Sequence, residues 1–539
     1  MNKIRVLAAV TAAVLLFPLR VNAGLPDELV PTYSTTYEDL KILVSKGLVP
    51  AEPANTRPLA RKQIAGILAQ GLRGGADLLG DPVGLRLVRE FAAELEAMGV
   101  EVPGRRHGPF WQRRISSAGN GARVEIVPYA WVRVDNVEPI YFRALADRRI
   151  GFGGSYSTAG GMLVIHDDLT AGSHSEEPRG IPDFGTLNAL VEGEDFNSWV
   201  HRAYIRLNTK ILDVVFGRDW LRWGPGRTGT LGLGDAAPAL NHLLLKKRTD
   251  KFDFTTFVAA LDFGDEEMLA GHRLEFRAAP NVTVGVAEQV RFRSLQQAPL
   301  YLLSFYPYSL VEKVVHVDSR VDTSRVDEDR RNNVMWTVDV DWLPARRTRL
   351  YGELLIDDLS FSRDEKPTQI GYQLGLMRTG LAGMDFLTLE AEFTKIHGYT
   401  YSQARRSAGA DTLELDFVRR GYSLGHPIGP DSEAYFFAAR YDASASCKWE
   451  LTVEVRRSGE LDLGDGWIYG DPVPGTFSLS GVVETKTRVM LEHTFRPGWW
   501  HGSWLTVGGG LYRAANTQNR EGEGKGWDGI MQASLMASW

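Results

Sequence analysis

Arg123-Val124-Glu125-Ile126-Val127-Pro128-Tyr129-Ala130-Trp131-Val132-Arg133-Val134 changes character at almost every step. Val124, Ile126, Ala130, Val132 and Val134 share one parity; Arg123, Glu125, Tyr129, Trp131 and Arg133 share the other. Successive side chains of a strand point to opposite faces, so this strand is apolar on one side and polar-aromatic on the other. Such a strand suits a barrel with lipid outside and water inside. Proline cannot donate to a sheet ladder, so a bulge or an earlier strand end is expected at Pro128.

The alternation recurs downstream. His272, Leu274, Phe276 and Ala278 oppose Arg273, Glu275 and Arg277; Val334, Trp336, Val338, Val340 and Trp342 oppose Thr337, Asp339 and Asp341; Leu387, Leu389, Ala391 and Phe393 oppose Thr388, Glu390 and Glu392. The links between such segments alternate in length. Tight ones fall at 209–210, 249–252, 279–281, 343–346, 380–384, 443–447 and 496–502, and long ones at 168–199, 218–239, 294–333, 396–433, 458–485 and 514–528. Two sandwich domains have no reason for this asymmetry, whereas a membrane barrel with short periplasmic turns and long external loops requires it. The expectation is an all-β transmembrane barrel of about 18 antiparallel strands over residues 111–539, with both termini in the periplasm. The last segment, Gly529 to Trp539, alternates Met531, Ala533, Leu535 and Ala537 and ends on an aromatic residue, as outer-membrane sorting signals do.

Upstream, Lys3 and Arg5 precede an apolar run from Val6 to Leu19 and then Val21-Asn22-Ala23, which reads as a signal peptide over residues 1–23. The run is too short to span a bilayer, and no later uninterrupted apolar segment is long enough. Membrane embedding therefore falls to strands, with outer-membrane lipid as a partner and the cell outer membrane as the address. Residues 24–110 read as a small periplasmic α-helical bundle. Thr36 caps a first helix that Gly47 stops, a second runs from Leu59 to Gly71, and a third opens after Asp81 with Pro82 and carries Leu85, Val88, Phe91, Ala92, Leu95 and Met98 on one stripe. This bundle is the expected contact for periplasmic export machinery.

Composition narrows the function. The chain has 61 basic and 67 acidic residues, and a formal charge of −6 that removal of Lys3, Arg5 and Arg20 makes more negative, which excludes a nucleic-acid footprint. Its single cysteine, Cys447, excludes an internal disulfide and a thiolate metal cluster. Gly217-Arg218-Asp219-Trp220-Leu221-Arg222-Trp223-Gly224-Pro225-Gly226 concentrates indoles, charges and glycines in a long connection. Indoles stack on the C–H faces of sugar rings, and arginines pair with uronic carboxylates. Glycan contact and a structural corner are both open for this stretch. Gly224, Gly226 and Gly229 spell G-x-G-x-x-G outside any βαβ context, which removes a nucleotide reading. His426, Asp431 and Ser432 invite a hydrolase reading, but no G-x-S-x-G element accompanies them. No H-E-x-x-H or calcium-loop spacing appears, and Glu353, Asp357 and Asp358 are too sparse for a metal site. The expectation is no catalysis, no cofactor and no metal.

Gly217-Arg218 with Trp223-Gly224-Pro225-Gly226, Tyr351-Gly352-Glu353 with Ile356-Asp357-Asp358, and Gly425-His426 with Gly429-Pro430-Asp431 resemble, in this order, the Wzi-type capsule assembly family. Asp39-Leu40, Leu43, Gly47 and Thr56-Arg57-Pro58-Leu59 are similar too, while Asp235-Ala236-Ala237-Pro238 departs from the family pattern. The resemblance implies an outer-membrane lectin that attaches or organises capsular or extracellular polysaccharide, with loops that occlude the lumen. Arg218, Asp219, Trp220 and Trp223, joined by Tyr422, His426 and Asp431 from a second loop, are then the expected glycan contacts. The alternative is a porin or polysaccharide-conducting channel.

Overall fold

The computed structural model describes residues 27–102, 115–119, 122–135, 145–158, 162–173, 197–209, 211–249, 251–262, 267–311, 332–358, 367–381, 383–403, 415–467, 477–497 and 503–538. The expected signal peptide and the terminal Trp539 lie outside these residues.

Helix α1 (Thr36–Lys46) ends where Gly47 turns left-handed at φ 69°, a conformation that glycine adopts at least cost. Helix α2 spans Arg61–Arg73. Helix α3 (Pro82–Glu90) starts on Asp81, whose Oδ1 accepts from the amides of Val83 and Gly84. The expected long third helix is broken at Phe91, and α4 covers Ala92–Ala97. These helices bury Leu43, Leu59, Ile64, Leu68, Leu87, Phe91 and Leu95 against one another. Among the described residues no helix is long and apolar enough to cross a membrane.

A short strand, β1 (Thr56–Arg57), lies between α1 and α2. After β2 (Ile115–Gly119) come β3 (Ala122–Asp135), β4 (Leu145–Thr158), β5 (Leu163–Ser173), β6 (Asn197–Asn208) and β7 (Asp213–Asp219). Beyond β8 (Arg222–Trp223) follow β9 (Leu240–Arg248), β10 (Phe252–Asp262), β11 (Glu267–Ala279) and β12 (Val282–Arg293). Then come β13 (Asn333–Ala345), β14 (Thr348–Asp358), β15 (Gln369–Leu381) and β16 (Met384–Ile396). The small hairpin of β17 (Val418–Arg419) and β18 (Tyr422–Ser423) precedes β19 (Ser432–Asp442), β20 (Cys447–Ser458), β21 (Glu484–Phe495), β22 (Trp504–Ala515) and β23 (Gly524–Ser538). The large strands pair antiparallel in sequence order, and β23 pairs back onto β3 with Ser538 opposite Tyr129, so the ladder returns to its start.

At Pro128 there is neither a bulge nor a strand end: β3 runs through it, opposite Phe152 of β4. On its other edge, β2 pairs only as far as Ile126 and β23 only from Tyr129, so Pro128 falls between the two partners. That junction spares the ladder the missing N–H.

The helices sit at the end with the short turns. The Arg347 amide donates to the Ser45 carbonyl, Arg346 Nε to that of Lys46, and Arg86 binds Asp442 beside the 443–446 turn. From there residues 51–58 enter the lumen. β1 pairs with β8, and Glu275 of β11 accepts three hydrogen bonds from this segment: Oε1 takes the amides of Ala54 and Asn55, and Oε2 the Thr56 hydroxyl at 2.5 Å.

Candidate functional site at the long-loop rim

The connection after β7 folds inward. Gly224 adopts φ 134°, and a Cβ on Gly226 would sit 2.1 Å from Gln373 Oε1, so the Trp-Gly-Pro-Gly corner needs its glycines to press against the wall. Backbone N–H groups brought into the interior need acceptors, and wall carboxylates supply them. Glu392 accepts from the amides of Arg227 (2.6 Å) and Thr228 (2.9 Å), and Glu353 from that of Gly232 (3.2 Å). From the opposite side Lys41 Nζ of α1 reaches the Pro225 carbonyl at 3.0 Å. The inward-facing glutamates, which the sequence places toward a lumen, are thus acceptors for chain that fills it.

Five of the expected contact residues form the frame of this filling. Asp219, fully buried, pairs with Arg202 at 2.7 Å and accepts from the Trp220 amide. Trp220 donates its indole N–H to the Ala237 carbonyl at 3.0 Å and packs between Tyr33 and His201. Trp223, 1% exposed, meets the Phe257 ring edge-on at 5.2 Å. No indole face is left open to a ligand in this conformation, which is the packing of a structural corner. His426 is fully buried, its Nε2 lying 3.2 Å from Thr228 Oγ1 and 3.3 Å from Gln373 Nε2. Asp431 accepts from the amides of Leu461 (3.2 Å) and Ser480 (3.1 Å), and so ties the next long connection down. Ser432 donates to the Pro430 carbonyl, away from His426. Among the described residues no group of three or more His, Cys, Asp or Glu is placed to hold a metal ion.

Arg218 and Tyr422 stand elsewhere. Register places Gly217 and Asp219 on the lumen side of β7, so Arg218 projects from the outer side, opposite Asn241 of β9, whose Oδ1 lies 3.4 Å from Nη1. Above it rests the β17–β18 hairpin. Arg419 donates from Nη1 to the carbonyls of Pro238 and Ala239, immediately before β9, and the hairpin tip exposes Arg420 and holds Tyr422 half-buried. Burial, with the Arg218 and Arg420 charges beside it, pushes the Arg419 guanidinium down to about 10. Nε of both Arg218 and Arg419 is buried without a hydrogen-bond partner, while the side chains as a whole keep 9% and 5% exposure. Arg419 and Arg420 carry no pattern that single-sequence reading recognises, since their meeting with Arg218 depends on how a loop folds back.

Neither a protein-family model nor a curated protein matches the chain. Among solved structures it is similar to Wzi of Escherichia coli, described as an outer membrane protein involved in Group 1 capsule assembly and a carbohydrate-binding β-barrel. The similarity covers 95% of this chain and 99% of that one, at 14% identity and a TM-score of 0.58. The fold is that of an outer-membrane β-barrel. OprD of Pseudomonas aeruginosa (9% identity, 78% of this chain, 95% of that one, TM-score 0.42) and OccAB2 of Acinetobacter baumannii (12%, 78%, 98%, 0.43) overlap more loosely.

Proposed function

We propose that this chain is an outer-membrane, lectin-like barrel that attaches acidic capsular or extracellular polysaccharide at the cell surface and does no chemistry on it. The observation that carries this reading is the rim cluster of Arg218, Arg419 and Arg420, with two buried Nε donors lacking partners, set above an interior filled by protein. Guanidinium forks match carboxylates, and a half-buried Tyr422 beside them offers a ring to a sugar face. In this reading the barrel has about 18 spanning strands and the long loops face outward. The helices lie in the periplasm, where they are available to export machinery, and residues 1–23 are the export signal. Arg218 and Tyr422 act as contacts, whereas Asp219, Trp220, Trp223, His426 and Asp431 hold the surface in shape. The similarity to a carbohydrate-binding barrel supports the assignment. A porin or conducting channel needs an open lumen, which the corner at 220–239 and the chain at 51–58 occupy.

The test is binding of the detergent-folded protein to polysaccharide from its own cell surface, with an unrelated barrel as control. Single contacts are weak and avidity over polymer repeats supplies retention, so binding should strengthen with polymer length. Charge-assisted hydrogen bonds contribute about 1.5–3 kcal/mol each, so Arg218→Gln with Arg420→Gln should weaken binding of an acidic polymer roughly tenfold or more. Added salt should weaken it further. A folded wild-type barrel that binds no polymer would sink the lectin reading. Equal binding of acidic and neutral polymers, unchanged in the double variant, would remove the arginines from the site.

A further inference from the structure

The chain after β12 does not stay at the rim. Its first residues form helix α5 (Ala298–Leu303) and a turn at 307–311, and both lie on the outer wall of the sheet rather than in its lumen. Parity fixes the side. Arg273 and Glu275 point inward to Thr56, so His272 and Leu274 of β11 point outward, and so do Thr256 of β10 and Glu288 of β12, paired with them across the ladder. On this outward row His272 Nε2 stands 3.2 Å from Glu288, which also accepts the Tyr308 amide at 2.7 Å. The Tyr308 ring covers His272 with centroids 4.3 Å apart, Thr256 Oγ1 donates to the Leu302 carbonyl at 3.0 Å, and Tyr301 packs on Phe292. Further along, Phe305 meets Phe254, whose partner on β11 is Leu274. From Glu267 to Leu274 is roughly 23 Å along the strand at about 3.3 Å per residue, or about 18 Å of depth at a tilt of about 40°, against an apolar band about 25 Å tall.

The outer surface of this segment matches that depth. Leu295, Leu300, Leu303, Phe305, Tyr306 and Leu310 are exposed, Phe305 at 79% and Tyr306 at 72%. Residues 294–311 contain no Asp, Glu, Lys or Arg, whereas 220–239 carries Arg222, Arg227 and Asp235, and 516–523 carries Arg520, Glu521 and Glu523. The exposed apolar surface is continuous with Leu274, Val338, Val340 and Trp342 on the neighbouring wall. Non-strand backbone is tolerated at membrane depth where its polar groups are satisfied against protein, and here Glu288 takes the Tyr308 amide, Thr256 the Leu302 carbonyl, and the Pro307 carbonyl the amides of Leu310 and Val311.

We propose that residues 295–311 form a membrane-embedded flap that seals a polar recess, Thr256–His272–Glu288, on the outer wall and presents its apolar outer face to the acyl chains of the surrounding leaflet. The proposal rests on the outer-membrane barrel and is independent of polysaccharide binding. Spin labels at Phe305→Cys and, separately, Leu310→Cys, each with Cys447→Ser, report it in the full-length protein folded into phosphatidylcholine vesicles, with Arg420→Cys as an aqueous reference. Power saturation should give several-fold higher accessibility to oxygen than to a water-soluble nickel chelate at 305 and 310, and the reverse at 420. Nickel accessibility at both flap sites equal to that at 420 would make the segment an ordinary aqueous loop. Protection from both reagents would mean that protein, such as a second copy, covers it. Either result overturns the lipid assignment. Glu288→Ala should free the flap and sharpen the 305 spectrum, and an unchanged spectrum would remove Glu288 as its anchor.

Discussion

At His426, surroundings rather than identity decide the role. An imidazole near an aspartate and a serine suggests catalysis on paper, yet Asp431 is spent on Ser480 and Leu461, Ser432 on Pro430, and the ring is sealed against Thr228 and Gln373. Burial, helped by the Arg456 and Arg222 charges, lowers its pKa from the usual 6.5 to about 3. A histidine kept neutral by the fold contributes stability in full above the unfolded value, and that contribution is lost as pH falls from about 6.5 toward 3. Protection of the amides in 397–403 and 415–431, taken relative to their intrinsic exchange rate at each pH, should therefore fall over that window. His426→Gln should flatten the dependence, and an equally steep response in that variant would exclude His426 as the titrating group. The sequence singles out His426 through its nearness to Asp431 and Ser432 and through the family resemblance, but partners 53 and 198 residues away leave no trace in local pattern.

Among elements, α1 shows how the helices are held to the wall. Asp39 joins Arg86 of α3 at 2.7 Å and Arg440 of β19, and both arginines also bind Asp442. Burial alone would raise the Asp39 carboxyl, but the Arg86 and Arg440 charges overcome it and hold it below the usual range. The contribution is present above the ordinary value of 3.8 and lost as pH falls below it. Removing one partner of a buried network costs about 3–5 kcal/mol, so Asp39→Asn should raise exchange of the α1 amides by roughly two to four orders of magnitude. If α1 stays as protected as in the wild type, this network does not dock the helices. Gly47 and Pro82 made two helix boundaries legible, because left-handed turns and first-turn prolines are local chemistry. The break at Phe91 and the docking onto β19 were not, since both are settled by tertiary contacts.

For the whole molecule, period-two alternation and the unequal links suffice to read a barrel, because lipid and water impose them on every strand. What fills the barrel cannot be read that way, because alternation ends with the strands and leaves loop side chains no predictable face. The filled interior predicts that the full chain in a planar bilayer carries no steady single-channel current, and a stable conductance would move the channel reading to the front. The pairing of Thr56 with Trp223 and Arg57 with Arg222 carries a last consequence, for assembly. Residues synthesised early end up enclosed by strands synthesised late, inside a ladder whose final seam joins β23 to β3. The short strand enters from the end where the helices dock and meets there a connection that arrives from the far rim, so the helical unit is a stopper latched from within.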